Sequence, residues 1–77
     1  MNECITKREV EVLQLVAIEL TTKEIANHLF ISNHTAISHR KSLMGKLQAK
    51  NTAGLIRRGF EVGLLQIKNS TYQNINQ

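Results

Sequence analysis

Polar residues suited to begin helices recur at short intervals along this chain, and they limit every helix to a few turns. Thr6 and Thr21 are each followed three residues later by a glutamate, a capping-box pattern in which two side chains satisfy unpaired backbone N–H groups. Ser32 suits the start of a third helix, and either Asn51 or Thr52 suits the start of a fourth. Apolar residues fall at helical rather than alternating spacing, and the chain has no proline. The sequence therefore predicts an all-α, four-helix fold.

The apolar stripes set the expected bounds of these helices. The helices are expected to run from Thr6 to about Glu19, from Thr21 to about Leu29, from Ser32 to Leu47, and from Asn51 or Thr52 to Val62, with Gly63 in a helix-ending position. Phe30 and Ile31 are predicted to form the turn before the third helix and to fill the core at that corner. Residues 1–68 are expected to form one domain, and the amide-rich residues 69–77 a disordered tail.

The third predicted helix, ISNHTAISHRKSLMGKL (31–47), has two unlike faces. Ala36, Leu43 and Leu47 recur at helical spacing and are expected to pack inward. The opposite face carries small, polar and cationic residues together with one large apolar side chain, and it has no acid: His34, Ile37, Ser38, Lys41 and Gly45. This mixture is typical of a helix that enters the major groove of DNA, where donors, a cation and an apolar group each have a partner on the bases.

The charge of the chain changes sign along its length. Residues 1–24 hold three Lys/Arg against five Asp/Glu, whereas residues 25–77 hold seven Lys/Arg against one Glu, so net charges of −2 and +6 give the total of +4. A positive surface favours a polyanion, because each neutralised phosphate releases condensed counterions. On charge alone, a solvated surface that maintains solubility explains the pattern equally well.

Several classes of site are not predicted. The single cysteine, Cys4, cannot form an internal disulfide or a cysteine-based zinc site, which favours an intracellular protein. The histidines at positions 28, 34 and 39 are spaced by six and five residues and do not share one helical face, so no metal site is expected. No apolar run approaches the roughly 18 residues of a membrane span, and a domain this short has little room for a catalytic cleft. We therefore expect no cofactor, no metal, no membrane contact and no enzymatic activity.

Four segments together resemble the LuxR/FixJ/NarL-type DNA-binding domain of bacterial transcription regulators. They are ITKREVEVLQLVA (5–17), LTTKEIANHLFIS (20–32), TAISH (35–39) and KLQAKNTAGLI (46–56). The resemblance extends over residues 5–65, with the segments in the family's order and spacing. KNTAGLIRRGFEVGLL (50–65) is also similar to the ending of two-component response regulators, in which a receiver domain precedes this module. A stand-alone regulator and the effector part of a longer protein both remain open.

The resemblance implies a dimer that binds double-stranded DNA, with the third helix in the major groove and the fourth helix at the dimer contact. The candidate base-reading residues are His34, Ile37, Ser38 and Lys41, and the candidate phosphate contacts are Thr22, Lys23, Thr35, Lys46 and Asn51. The candidate dimer contacts are Leu55, Ile56, Arg58, Gly59 and Val62. Glu9 and His39 match residues that brace the scaffold. Expected partners are DNA, a second copy of the chain and RNA polymerase, in the bacterial cytoplasm and on the nucleoid when bound.

The sequence departs from the family pattern at four positions. Glu19 replaces a usual glycine, Ala36 a frequent valine, Ile37 a common lysine and Ser42 a common asparagine. The change at Ile37 removes a cation from the DNA face and leaves an apolar residue there. It supports the alternative function, a helical adaptor that keeps the scaffold and binds protein rather than DNA.

Overall fold

The computed structural model describes residues 4–67 of the chain. They form four helices: α1 Lys7–Ala17, α2 Thr22–Leu29, α3 Asn33–Lys46 and α4 Thr52–Glu61. The predicted all-α fold is confirmed, since no strand occurs in this part of the chain. The expected end of the first helix at Glu19 was wrong by two residues, because the chain turns after Ala17. The tail expected at 69–77 lies outside the described residues.

All four helix starts are capped by a side chain. The oxygens of Thr6, Thr21, Ser32 and Asn51 each accept the backbone N–H three residues later, at 3.1, 3.2, 3.0 and 2.8 Å. The first two are complete capping boxes, in which the glutamate also accepts the backbone N–H of the threonine. Asn51, rather than Thr52, is the N-cap of the fourth helix. The pattern of caps in the sequence therefore located every helix start.

Each helix also ends in the same way, with one residue in the left-handed region of the backbone. The φ angles are 73° at Glu19, 59° at Phe30, 56° at Gln48 and 85° at Gly63. In every case the next N–H reaches back to a carbonyl five residues earlier, with N···O distances from 2.8 to 3.2 Å, as in a Schellman motif. Only Gly63 was expected in this role, and the other three residues adopt the conformation at a steric cost.

The turn between α2 and α3 differs from the prediction. Phe30 is 95% exposed, so the expectation that its side chain fills the core was wrong. Its left-handed backbone reverses the chain, and Ile31, the next residue, packs against the core instead. The backbone conformation thus selects which of two adjacent apolar side chains faces inward.

The core lies where the four helices meet. Its fully buried side chains come from every helix: Val12 and Leu13 from α1, Ile25 from α2, Leu43 from α3 and Leu55 from α4. The α3 helix packs against α1 and α2, whereas α4 packs mainly against α1. At that crossing a Cβ on Gly59 would lie 2.7 Å from Leu65 Cδ1 and 3.1 Å from Leu13 Cδ2, so any larger residue would force these side chains to shift. No helix of residues 4–67 is long and apolar enough to span a bilayer.

The carboxylate of Glu9 joins α3 to the start of α1 through hydrogen bonds and an ion pair. Glu9 is 4% exposed, and its oxygens accept from Ser42 Oγ at 2.6 Å, from Lys46 Nζ at 2.9 Å and from the Thr6 N–H at 2.9 Å. Lys46 also donates to the Cys4 carbonyl oxygen at 2.8 Å. Glu9 therefore braces the scaffold, as the resemblance implied. Ser42, a departure from the family pattern, supplies one of the donors.

These donors decide the ionisation of Glu9. Burial by itself raises the pKa of the carboxyl, but hydrogen bonds from Ser42, the Thr6 backbone and Lys46 outweigh it and hold the pKa at about 2, against an ordinary 4.5. Because the folded state binds the proton less tightly than the unfolded state, ionised Glu9 stabilises the fold by about 3 kcal/mol. This stabilisation is complete above about pH 5 and is lost as the pH falls towards 2.

We expect the free energy of unfolding, measured with urea between pH 7 and pH 3, to fall with acid more steeply in the wild type than in Glu9→Gln. The variant lacks the titrating carboxyl, so it should be less stable at pH 7 and should approach the wild type at low pH. Parallel pH curves for the two proteins would contradict the assignment.

Candidate nucleic-acid interface

The face of α3 opposite the core is open to solvent. His34, Ile37, Ser38, Lys41 and Gly45 are all exposed, while Ala36 and Leu43 on the other side are buried. Ile37 is 41% exposed, so the large apolar side chain on this face is not part of the core. The candidate base-reading residues thus lie together on one accessible surface, and their contact with bases stays a prediction.

A cleft of about 330 Å³ adjoins this face, and we refer to it as the α3–α4 cleft. It joins the exposed side of α3 to the first residues of α2 and α4, and it is lined by Thr22, Ile37, Arg40, Lys41, Met44, Asn51 and Thr52. None of these residues is acidic. Two candidate base readers and two candidate phosphate contacts therefore border the same concavity, although they are up to 29 positions apart in sequence.

The helix starts differ in charge. The first turns of α1 and α2 contain Glu9 and Glu24, whereas the first turns of α3 and α4 contain no acid. Unpaired N–H groups and the helix dipole make such a start favourable for an anion. At the start of α3, Thr35 Oγ1 accepts from Ser32 Oγ at 2.9 Å, which leaves the Thr35 proton for donation to another acceptor. Both starts suit a phosphate oxygen.

The start of α2 presents a cation with a neighbouring acid. Lys23 is exposed in the first turn, and Thr22, half-buried, contributes to the α3–α4 cleft. The Glu24 carboxylate accepts the Thr21 N–H at 2.8 Å, so it lies at this helix end and reduces the positive potential. Lys23 is therefore the main source of positive charge at the start of α2.

The expectation that Lys46 contacts phosphate does not fit its position. Its Nζ lies 2.9 and 3.2 Å from the two oxygens of Glu9 and donates to the Cys4 carbonyl. The side chain is 19% exposed, and removing it from Glu9 would leave a buried carboxylate without its cation. Lys46 is a structural residue here, which its place in the sequence did not reveal.

The dimer candidates on α4 and its C-cap residue fall into three groups. Leu55 and Gly59 are buried in the core of this chain, so they are not available to a second copy, and that part of the expectation was wrong. Arg58 is held within the chain, with Nε donating to the Leu47 carbonyl at 3.1 Å and Nη1 to Glu61 at 2.8 Å. Ile56 is half-buried and Val62 is 46% exposed, which leaves these two accessible.

Glu61 anchors the arginines at the end of α4. Hydrogen bonds from Arg58 and from Arg57 lower the pKa of its carboxyl. The Arg57 Nε lies 2.9 Å from the same carboxylate. One acid therefore neutralises part of the positive charge at this end of the helix, away from the α3–α4 cleft.

Sequence reasoning missed three residues of the cleft: Arg40, Met44 and Thr52. Arg40 and Met44 were not among the candidate residues, and Thr52 was considered only as a possible helix cap. Their shared position depends on how α4 returns past α3, which local patterns do not encode. The signal in the sequence that could have identified Arg40 was weak. Arg40 is one of three cations on α3, and no acidic residue lies three or four positions from it.

Comparison with known proteins agrees with this geometry. The model of the bacterial regulatory proteins of the luxR family matches residues 3–58. The chain belongs to the luxR family. This is a family of helix-turn-helix DNA-binding domains in transcription regulation, and it is not a family of enzymes.

Relatives within the luxR family differ in length. The chain is 40% identical to the spore germination protein GerE of Bacillus subtilis over 63 residues, which cover 82% of this chain and 85% of GerE. It is 41% identical to the uncharacterized response regulatory protein YgeK of Escherichia coli, covering 82% of this chain. It spans only 43% of YgeK and 30% of the transcriptional regulatory protein MctR of Rhizobium johnstonii, with which it shares 43% identity over 83% of its own length.

A solved luxR-type structure supports the fold. The response regulator ChrA of a heme-sensing two-component system superimposes with a TM-score of 0.79 and 28% identity, covering 84% of this chain and 32% of that chain. The four-helix arrangement described above therefore also occurs within a longer response regulator.

Proposed function

We propose that this chain binds double-stranded DNA in a sequence-specific manner as the DNA-binding module of a bacterial transcription regulator. The α3 helix enters the major groove, and the starts of α2 and α4 contact the backbone. The observation that carries the proposal is the α3–α4 cleft, which joins the exposed face of α3 to two helix starts and has no acidic residue in its lining.

The proposed base contacts and phosphate contacts lie on different parts of this surface. The exposed side of α3 carries His34, Ile37, Ser38 and Lys41 within the first nine residues of the helix. Recognition helices contact base edges with residues in their N-terminal part. Lys41 donates to guanine acceptors, and Ile37 contacts a thymine methyl. Thr22, Lys23, Thr35 and Asn51 lie in or beside helix first turns and contact phosphates, which fixes the orientation of α3 without reading sequence.

The chain acts as a dimer on DNA, with α4 at the contact. Leu55 and Gly59 are excluded by burial, and the accessible apolar residues are Ile56, Phe60 and Val62, of which Phe60 is 42% exposed. Ile56 and Phe60 are four residues apart and share one side of α4. This strip is small, so pairing depends on DNA that presents two half-sites about one helical turn apart.

The relatives support a proposal about the longer protein in which this domain acts. Two of them are named as response regulatory or transcriptional regulatory proteins, and the chain matches only part of each. We propose that residues 1–68 form the effector domain of a regulator that acts in the bacterial cytoplasm, on the nucleoid when bound, and that contacts RNA polymerase there.

A salt titration tests the proposed DNA binding. The affinity of the wild type for duplex DNA should fall steeply with salt, because several phosphates are neutralised. Lys23→Ala should weaken binding to all duplexes alike and reduce the magnitude of the log–log slope by about one unit. Lys7→Ala is the matched control, since Lys7 is also exposed in the first turn of its helix but belongs to α1, which is not part of the proposed interface.

Two results would contradict this assignment. A wild-type slope close to zero would favour the protein-binding adaptor. A loss confined to the preferred sequence would show that Lys23 reads bases rather than a phosphate.

The role of Ile37 is tested by selecting bound sequences from random duplex DNA. Ile37→Lys should relax a thymine preference at one position and strengthen non-specific binding, whereas Ile37→Val should keep the preference. A good base contact contributes about 1–3 kcal/mol of discrimination, which such a selection resolves. Reduced thermal stability of Ile37→Lys with an unchanged base preference would instead show that Ile37 packs within the chain.

A further inference from the structure

Arg40 connects the recognition helix to the first turn of α4. Its Nη2 donates a hydrogen bond to Thr52 Oγ1, and Thr52 is the first residue of α4. Since α4 packs mainly against α1, its start has little direct support from α3. The Arg40–Thr52 bond and the bond from Arg58 to the Leu47 carbonyl are the side-chain hydrogen bonds joining α3 and its C-cap to α4 within residues 4–67.

The surroundings of Arg40 are unusual for a side chain with only a structural role. Its Nε is buried and has no hydrogen-bond partner among the described residues. The side chain borders the α3–α4 cleft and also a second cavity of about 430 Å³. Thr22 and Thr52 border both cavities too, so the first residues of α2 and α4 lie beside the same two cavities as Arg40. Its partner is thus a neutral hydroxyl rather than a carboxylate.

The direction of this bond matters for the Thr52 hydroxyl. Because Thr52 Oγ1 accepts from a cation, its own proton points elsewhere and is polarised for donation. Asn51, the adjacent cap, uses its Oδ1 to accept the Gly54 N–H at 2.8 Å and keeps its side-chain NH₂ for another acceptor. The first turn of α4 therefore offers donors beside the cleft and contains no acid.

We propose that Arg40 is a positioning residue for DNA binding, which orients the Thr52 hydroxyl and the first turn of α4 towards one phosphate of the DNA backbone. The inference rests on the proposed function, because it assigns a task within the same interface. Arg40 acts through Thr52, and it thereby fixes the distance between a backbone anchor on α4 and the base-reading face of α3.

Three variants separate the parts of this arrangement. Thr52→Val removes the hydroxyl but keeps the shape and the charge of the chain, whereas Thr52→Ser keeps the hydroxyl. Arg40→Gln removes the cation and the strong donor. Asn51 caps α4, so no substitution at Thr52 removes a cap, and thermal unfolding by circular dichroism verifies that each variant is folded.

The measurement is ethylation interference on a duplex selected by the wild type from random DNA. In this experiment each ethylated phosphate that weakens binding marks a backbone contact. We expect Thr52→Val and Arg40→Gln to weaken binding roughly tenfold and both to lose the same phosphate from the interference pattern. Thr52→Ser should retain that phosphate. A role confined to stability would change affinity without altering which phosphates interfere.

Each other outcome overturns a specific claim. An unchanged pattern in Thr52→Val and Arg40→Gln would overturn the positioning role and leave the proposed function intact. Loss of a different phosphate in Arg40→Gln alone would show that Arg40 contacts DNA itself. If no ethylated phosphate weakens wild-type binding, the proposed function fails together with this inference.

Discussion

The ion pair between Glu9 and Lys46 is the interaction on which the rest of the structure depends. It joins the first turn of α1 to the last turn of α3, and Ser42 and the Thr6 N–H complete the carboxylate's hydrogen bonds. A buried charge is tolerated only when its acceptors are satisfied in this way. With its C-terminal end joined to α1 in this way, α3 packs against α1 and α2 through buried residues such as Ala36 and Leu43. The buried pair thus helps to hold α3 in the orientation that leaves its polar face exposed.

Charge is distributed over the helix ends in a manner that fits this division of tasks. The glutamates in the first turns of α1 and α2 complete capping boxes and so stabilise the scaffold. The first turns of α3 and α4 are capped by the neutral residues Ser32 and Asn51, which leaves the positive ends of their dipoles for an anion. Capping and the proposed phosphate binding therefore use the same physical feature of a helix start, and at α2 the exposed Lys23 offsets the charge of Glu24.

Much of the fold could be predicted because its signals are local. The caps at Thr6, Thr21 and Ser32 involve residues three positions apart, and the apolar stripe of α3 lies within one helix; the structure has all of them. The errors arose where distant residues decide. Lys46 is engaged by a carboxylate 37 positions away, and Leu55 and Gly59 are buried where α4 packs on α1 and Leu65. The same limit hid Arg40 and Thr52, which meet only after α4 has folded back. Phe30 is the exception, because its exposure accompanies its own left-handed backbone conformation.

The central claim is that one surface, made by the exposed face of α3 and the starts of α2 and α4, contacts DNA. Amide chemical-shift mapping of the isotope-labelled chain during titration with the selected duplex tests it most directly. The chain has no proline, so the backbone N–H of every described residue reports on its own surroundings. We expect large shift changes at Thr22 and Lys23, from His34 to Lys41, and at Asn51 and Thr52, with little change at exposed residues of α1 such as Gln14. Changes concentrated on α1, or an absence of changes at the starts of α2 and α4, would contradict it.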